Sequence, residues 1–139
     1  MEQKTQSEIP GIRRKRPFIL TMLCAFAFVF YGTLGLLLMT GAFYSGFLAE
    51  IFRTYQPGDS LNSSSILLFF LGLALLHWGA FASVVWIWRL NRKGYFIFSG
   101  CALATAVFHL FLPDISILVT SVHISLILLF GLFYNFYQL

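Results

Sequence analysis

Four long stretches of this chain carry no charged side chain: residues 17–49, 60–88, 94–113 and 115–139. Each reaches the roughly 20 residues that a helix needs to cross about 30 Å of hydrocarbon. In hydrocarbon a backbone has no water to bond with, so such runs satisfy their N–H and C=O groups internally, as helices. The sequence therefore predicts an all-α polytopic membrane protein. A basic tail at 1–16 precedes a single domain at 17–139, an antiparallel four-helix transmembrane bundle with spans near 18–42, 66–88, 95–112 and 116–137.

Composition points the same way. Of 139 residues, 59% are hydrophobic and only 10% charged, too little polar surface to coat a water-soluble globule of this size. A large soluble catalytic domain, a disulfide scaffold and a disordered tail protein are all excluded. The formal charge of +4 could suggest nucleic acid. The bases, however, flank apolar runs and form no amphipathic basic face, which excludes that partner and leaves the lipid bilayer.

The breaks between runs are turn and cap signatures: Gln56-Pro57-Gly58-Asp59-Ser60 with Asn62-Ser63-Ser64-Ser65, then Arg89-Leu90-Asn91-Arg92-Lys93-Gly94, then Pro113-Asp114. No internal repeat is evident. Arg13-Arg14-Lys15-Arg16 resembles the basic start of a signal peptide, but the run behind it far exceeds a signal core of about 7–15 residues. A signal anchor is the better reading. Past the hydrocarbon, Phe43, Phe47, Leu48, Ile51, Phe52 and Tyr55 recur at helical spacing around Glu50 and Arg53. That pattern fits either an interfacial helix over 43–55 or an ordinary helix end running into a loop.

Orientation follows from the bases. Lys4, Arg13, Arg14, Lys15, Arg16, Arg89, Arg92 and Lys93 fall on one side of the predicted spans and Arg53 on the other. The positive-inside rule then puts both termini and the second turn in the cytoplasm. Trp86, Trp88, Tyr95, Tyr134 and Tyr137 suit an aromatic belt at that face. Cys24 and Cys101 lie at similar depth near the reducing side without any Cys-x-x-Cys, and read as buried free thiols. Asn62-Ser63-Ser64 matches a glycosylation sequon, which matters only in a eukaryotic secretory membrane.

The chemistry-bearing residues are few. Ionisable groups inside spans are costly and often functional, which singles out His77, His109 and His123. His77 and His123 on facing helices could ligate haem or bind a quinone. Their depths are only roughly level, with His109 nearer the outer surface, and the competing structural reading is neutral histidines hydrogen-bonded between helices. No resident cofactor or metal is predicted. Asp114 reads as a cap for the last helix. With no intramembrane carboxylate, catalytic triad, His-Glu-x-x-His or phosphate loop, an enzyme, pump or cation transporter is disfavoured. Small residues recur four apart at Gly41/Ser45, Gly79/Ser83, Gly100/Ala104, Ala102/Ala106 and Ser121/Ser125, a spacing that lets helix backbones approach.

Arg16-Pro17-Phe18-Ile19-Leu20-Thr21-Met22-Leu23-Cys24, with Tyr31-Gly32-Thr33-Leu34-Gly35-Leu36 and Trp86-Ile87-Trp88-Arg89-Leu90-Asn91-Arg92-Lys93-Gly94-Tyr95, resembles small four-span inner-membrane proteins of the Bacteroidota that have no assigned function. The resemblance implies a location and a topology and says nothing of chemistry. In size and span count alone the chain is also similar to the DoxX-like membrane family, from which no redox role carries over.

Three functions remain open. The first is a non-enzymatic membrane protein that self-associates or serves as an accessory subunit of a larger complex. The second is a redox-associated subunit using His77 and His123 around haem or quinone. The third is a small-molecule carrier or channel, for which the polar pathway is thin.

Overall fold

The computed structural model describes residues 16–55, 62–110 and 116–137. Over these the chain is helical, with no strand: α1 (Phe18–Phe43), α2 (Ser45–Tyr55), α3 (Ser63–Trp88), α4 (Arg92–Leu110), α5 (Ser116–Leu132) and a 3-10 turn (Tyr134–Phe136). By length and composition α1 and α3 can each cross a membrane, and α5 is a shorter apolar helix.

Local chemistry sets the ends. Pro17 stands just before α1, where its fixed φ suits a helix start, and its carbonyl accepts the Thr21 N–H at 3.2 Å. Tyr44 ends α1 with its N–H on the Thr40 carbonyl at 3.1 Å, and after this one-residue break α2 begins. Of the two readings open for 43–55, the chain forms a helix, α2, separate from α1. Ser45 and Ala49 are its buried side, while Phe47, Glu50, Ile51, Arg53 and Thr54 are exposed.

α3 and α4 are joined by a tight reversal. Leu90 takes φ 58°, the Leu90 N–H donates to the Ile87 carbonyl at 2.8 Å, and the Asn91 N–H reaches the Trp86 carbonyl at 2.9 Å. These are the two bonds of a Schellman ending, with leucine where glycine usually stands. Asn91 then caps α4, its Oδ1 accepting the Lys93 N–H at 2.9 Å. Gly94, taken from the sequence as part of this turn, lies instead inside α4. A Cβ there would sit 2.6 Å from the Ile87 nitrogen and 2.9 Å from the Ser83 carbonyl oxygen, so glycine is what lets the two helices meet at backbone contact.

Four helices share one core. Leu20, Cys24, Ala27 and Tyr31 form a stripe of α1, facing Ala80, Val84 and Ile87 of α3, Phe98 and Ala102 of α4, and Leu126 and Phe130 of α5. The outward faces are equally apolar: Val29 is 70% exposed, Leu75 72% and Leu118 74%.

One end of the bundle gathers the basic groups. The Arg16 guanidinium lies 4.3 Å over the Trp88 ring, and that of Arg92 lies 5.2 Å over Tyr134. Arg92 Nε also donates to the Tyr137 carbonyl at 3.1 Å, and the Tyr137 hydroxyl donates to the Phe130 carbonyl at 2.9 Å. The start of α1 and the segment after α5 are thus both tied to the α3–α4 reversal.

Candidate functional site

Three imidazoles and a phenol from four different helices meet inside the bundle. His77 stands near the middle of α3, His109 at the last turn of α4, His123 mid-way along α5 and Tyr31 mid-way along α1. The His77 and His123 ring centroids are 5.6 Å apart at 87°. Tyr31 packs against both, at 5.7 and 5.4 Å, and against Phe98 at 5.4 Å. His109 meets His123 at 5.7 Å. His123 is the ring that the other two share, with His109 coming from the last turn of α4. The expectation that His109 lies nearer the surface does not keep it out of the cluster, because its ring reaches His123.

Each imidazole is held in the same way. Nδ1–H donates to the carbonyl four residues earlier in its own helix: Leu73 for His77 at 2.8 Å, Thr105 for His109 at 2.8 Å and Val119 for His123 at 2.7 Å. A carbonyl can only accept, so Nδ1 must carry the proton, and the neutral ring keeps Nε2 as an acceptor turned away from its own helix. The expected hydrogen bond between helices is therefore not made by His77 or His123, whose Nδ1 bonds stay within their own helices. Nε2 of His77, Nε2 of His123 and the Tyr31 hydroxyl are buried with no hydrogen-bond partner. His77 is 1% exposed, and His123 and Tyr31 are 0%.

Buried polar atoms without partners are rare, and each costs about 1–3 kcal/mol of lost solvation. Three of the six such atoms among the described residues fall in this one cluster, the others being Arg16 Nε, Ser99 Oγ and Thr120 Oγ1. With Nδ1 fixed, each ring offers a single free nitrogen, which suits accepting a hydrogen bond better than relaying protons through both nitrogens. Among the described residues no group of three or more His, Cys, Asp or Glu is placed to hold a metal ion. The direct edge-to-face contact of His77 with His123 favours a small occupant over a macrocycle, which would have to pass between its two axial rings. No carboxylate of the described residues belongs to the cluster; Glu50 is exposed on α2.

The other residues singled out in the sequence divide. A Cβ on Gly79 would lie 2.9 Å from Cys101 Sγ, so this notch faces α4 inside the bundle. Ser83, one turn on, is buried with its hydroxyl donating to the Ala80 carbonyl at 2.6 Å. Gly100 is exposed with nothing within 4 Å of its Cβ direction, so it meets no neighbouring helix of this chain, and Ala104 one turn on is half-buried. The close-packed side of α4 is instead Phe98, Ala102 and Ala106. Of the topology residues, Arg16 and Arg92 make the contacts above, Arg89 and Lys93 are exposed, and Arg13, Arg14 and Lys15 lie outside the described residues, as does Asp114. Cys24 and Cys101 are free thiols.

Sequence reasoning missed Tyr31. The signal was there, since tyrosine favours the membrane–water interface and this one stands deep within an uncharged run. No known protein family, curated protein or solved structure matches the chain.

Proposed function

We propose that this protein is an accessory subunit of an inner-membrane complex that crosses the bilayer four times and binds a quinol at the histidine–tyrosine centre. α1, α3, α4 and α5 are the spans, α2 lies at the outer interface, and both termini face the cytoplasm with the α3–α4 reversal. The broad apolar exposure of the helix faces suits lipid rather than water. The gathering of Arg16, Arg89, Arg92 and Lys93 at one end suits the positive-inside rule. The resemblance to small inner-membrane proteins of the Bacteroidota agrees with this placement.

The observation that carries the ligand reading is the set of unpartnered acceptors, His77 Nε2 and His123 Nε2, beside the Tyr31 hydroxyl. In an apolar interior the two nitrogens call for a ligand that brings hydroxyl protons, and the Tyr31 hydroxyl can donate to or accept from the same ligand. A quinol has two hydroxyl donors on an aromatic ring, and Tyr31, Phe30 and Phe98 supply aromatic walls. The test is equilibrium binding of decylubiquinol to the purified protein in nanodiscs, with an absorption spectrum taken in parallel. Saturable binding that His123→Gln abolishes supports the reading. A Soret band that disappears in His77→Gln or His123→Gln would put haem in the place of quinol.

A second reading, self-association or docking to other membrane subunits without a ligand, draws on Gly72 and Gly100. Neither has a neighbour within 4 Å of its Cβ direction, so the chain itself does not use the close approach they permit.

A further inference from the structure

We propose that a groove between α1 and α5 admits the quinol headgroup sideways from the bilayer and delivers it to His123, and that Phe30 stands as the gate between them. This rests on the quinol reading above and adds the route, the gate and the redox form that is bound.

The groove has a volume of about 250 Å³ and is lined by Leu23 and Phe26 of α1 and by Ser121, Val122, Ser125 and Leu129 of α5, among others. It opens where the bundle is loosest, since α1 and α5 touch over far less of their length than α1 with α3, α3 with α4 or α4 with α5. Its walls are mostly apolar, with Ser121 and Ser125 the polar residues, which suits an occupant arriving from lipid. Its size suits a ring headgroup and not a whole isoprenoid molecule, so the tail stays in the bilayer.

An aromatic path links this groove to the buried acceptors. Phe26, which lines the groove, stacks on Phe30 with centroids 5.9 Å apart and planes at 14°. Phe30 in turn packs edge-on against His123 at 5.7 Å and against Tyr31 at 5.2 Å. Phe30 is half-buried, between an exposed Phe26 and a fully buried His123. Rotation of this one side chain would open the groove onto the His123 ring.

The polar atoms along the path choose the reduced form. The Ser121 hydroxyl already donates to the Leu118 carbonyl at 2.7 Å, so its oxygen is left to accept. His123 Nε2 and His77 Nε2 also accept, because their Nδ1 protons are committed to Val119 and Leu73. A quinol hydroxyl satisfies such atoms, whereas a quinone carbonyl can accept from the Tyr31 hydroxyl but leaves both buried imidazole nitrogens unpaired.

The experiment uses the full-length protein in nanodiscs and tritiated decylubiquinol, with association rate and equilibrium binding followed by scintillation proximity. Ser125→Trp fills the groove from an exposed position whose side chain is not part of the histidine cluster, and is expected to slow association by about tenfold or more with the fold retained by circular dichroism. Phe30→Ala is expected to speed association, and His123→Phe to abolish equilibrium binding. Decylubiquinone is expected to bind at least about tenfold more weakly than decylubiquinol. Unchanged association in Ser125→Trp, with binding still lost in His123→Phe, would overturn the groove route and leave the quinol reading standing. Equal binding of both redox forms would overturn the choice of the reduced form. Absence of binding to the wild-type protein would overturn route and reading together.

Discussion

The ring of His123 meets that of His77 edge to face at 5.6 Å, while each gives its Nδ1 proton to a carbonyl of its own helix and leaves Nε2 without a partner. Two residues that could have bonded to each other are held so that they cannot. Polarity is thereby kept in reserve at the centre of an apolar bundle, at a cost in stability that a ligand would recover.

That arrangement sets the response to removing a histidine. His77→Leu deletes one hydrogen bond of net worth about 0.5–1.5 kcal/mol and also deletes an unpaired buried acceptor costing about 1–3 kcal/mol. The expected result is a stability within about 1 kcal/mol of wild type or higher, read from thermal melting in detergent, together with loss of quinol binding. A drop of more than about 3 kcal/mol would mean that Nε2 has a partner within the fold.

Gly79 and Cys101 define the α3–α4 contact at mid-bundle. Gly79→Leu should lower stability by roughly 1–3 kcal/mol through overpacking. Gly79→Ala should cost less, since Sγ is the end of a short side chain that can turn, and Cys101→Ala should recover what is lost. Melting curves of the two single variants and the double variant decide it; additive losses would show that the residues do not touch.

Gly94 is the stricter position, because its neighbours are backbone atoms that cannot turn aside. Gly94→Ala is expected to destabilise more than Gly79→Ala. Gly72→Ala and Gly100→Ala should be neutral or gain up to about 1 kcal/mol from helix propensity. If Gly100→Leu leaves the melting temperature unchanged but removes a complex seen in mild detergent, the exposed face of α4 is a docking surface.

Topology can be read by labelling in a cysteine-free background. A cysteine at Ser63, the first residue of α3, should react with an impermeant maleimide applied to the outer face of the membrane. One at Lys93 should react only from the cytoplasmic side. Labelling of Ser63→Cys from the cytoplasm alone would reverse the orientation.

The helices were legible because their causes are local. Uncharged runs demand internal backbone bonding, Pro17 and Asn62 open helices, and the Arg89–Gly94 segment carries turn chemistry that the reversal at Leu90 and Asn91 uses. Which residues share a helix was legible too. Partners were not. Gly79/Ser83 and Gly100/Ala104 have the same spacing in the sequence, yet Gly79 is pressed on Cys101 and Gly100 faces open space, because spacing fixes a face of a helix and only packing fixes what that face meets. The candidate site divides the same way. The sequence by itself singled out His77, His109 and His123, since an ionisable group in an apolar run is conspicuous wherever the run packs. The bond from each Nδ1 to the carbonyl four residues back is local to its helix, whereas the addition of Tyr31 and the meeting of three imidazoles were decided by tertiary structure, because they depend on how four helices rotate about their axes to fill one core.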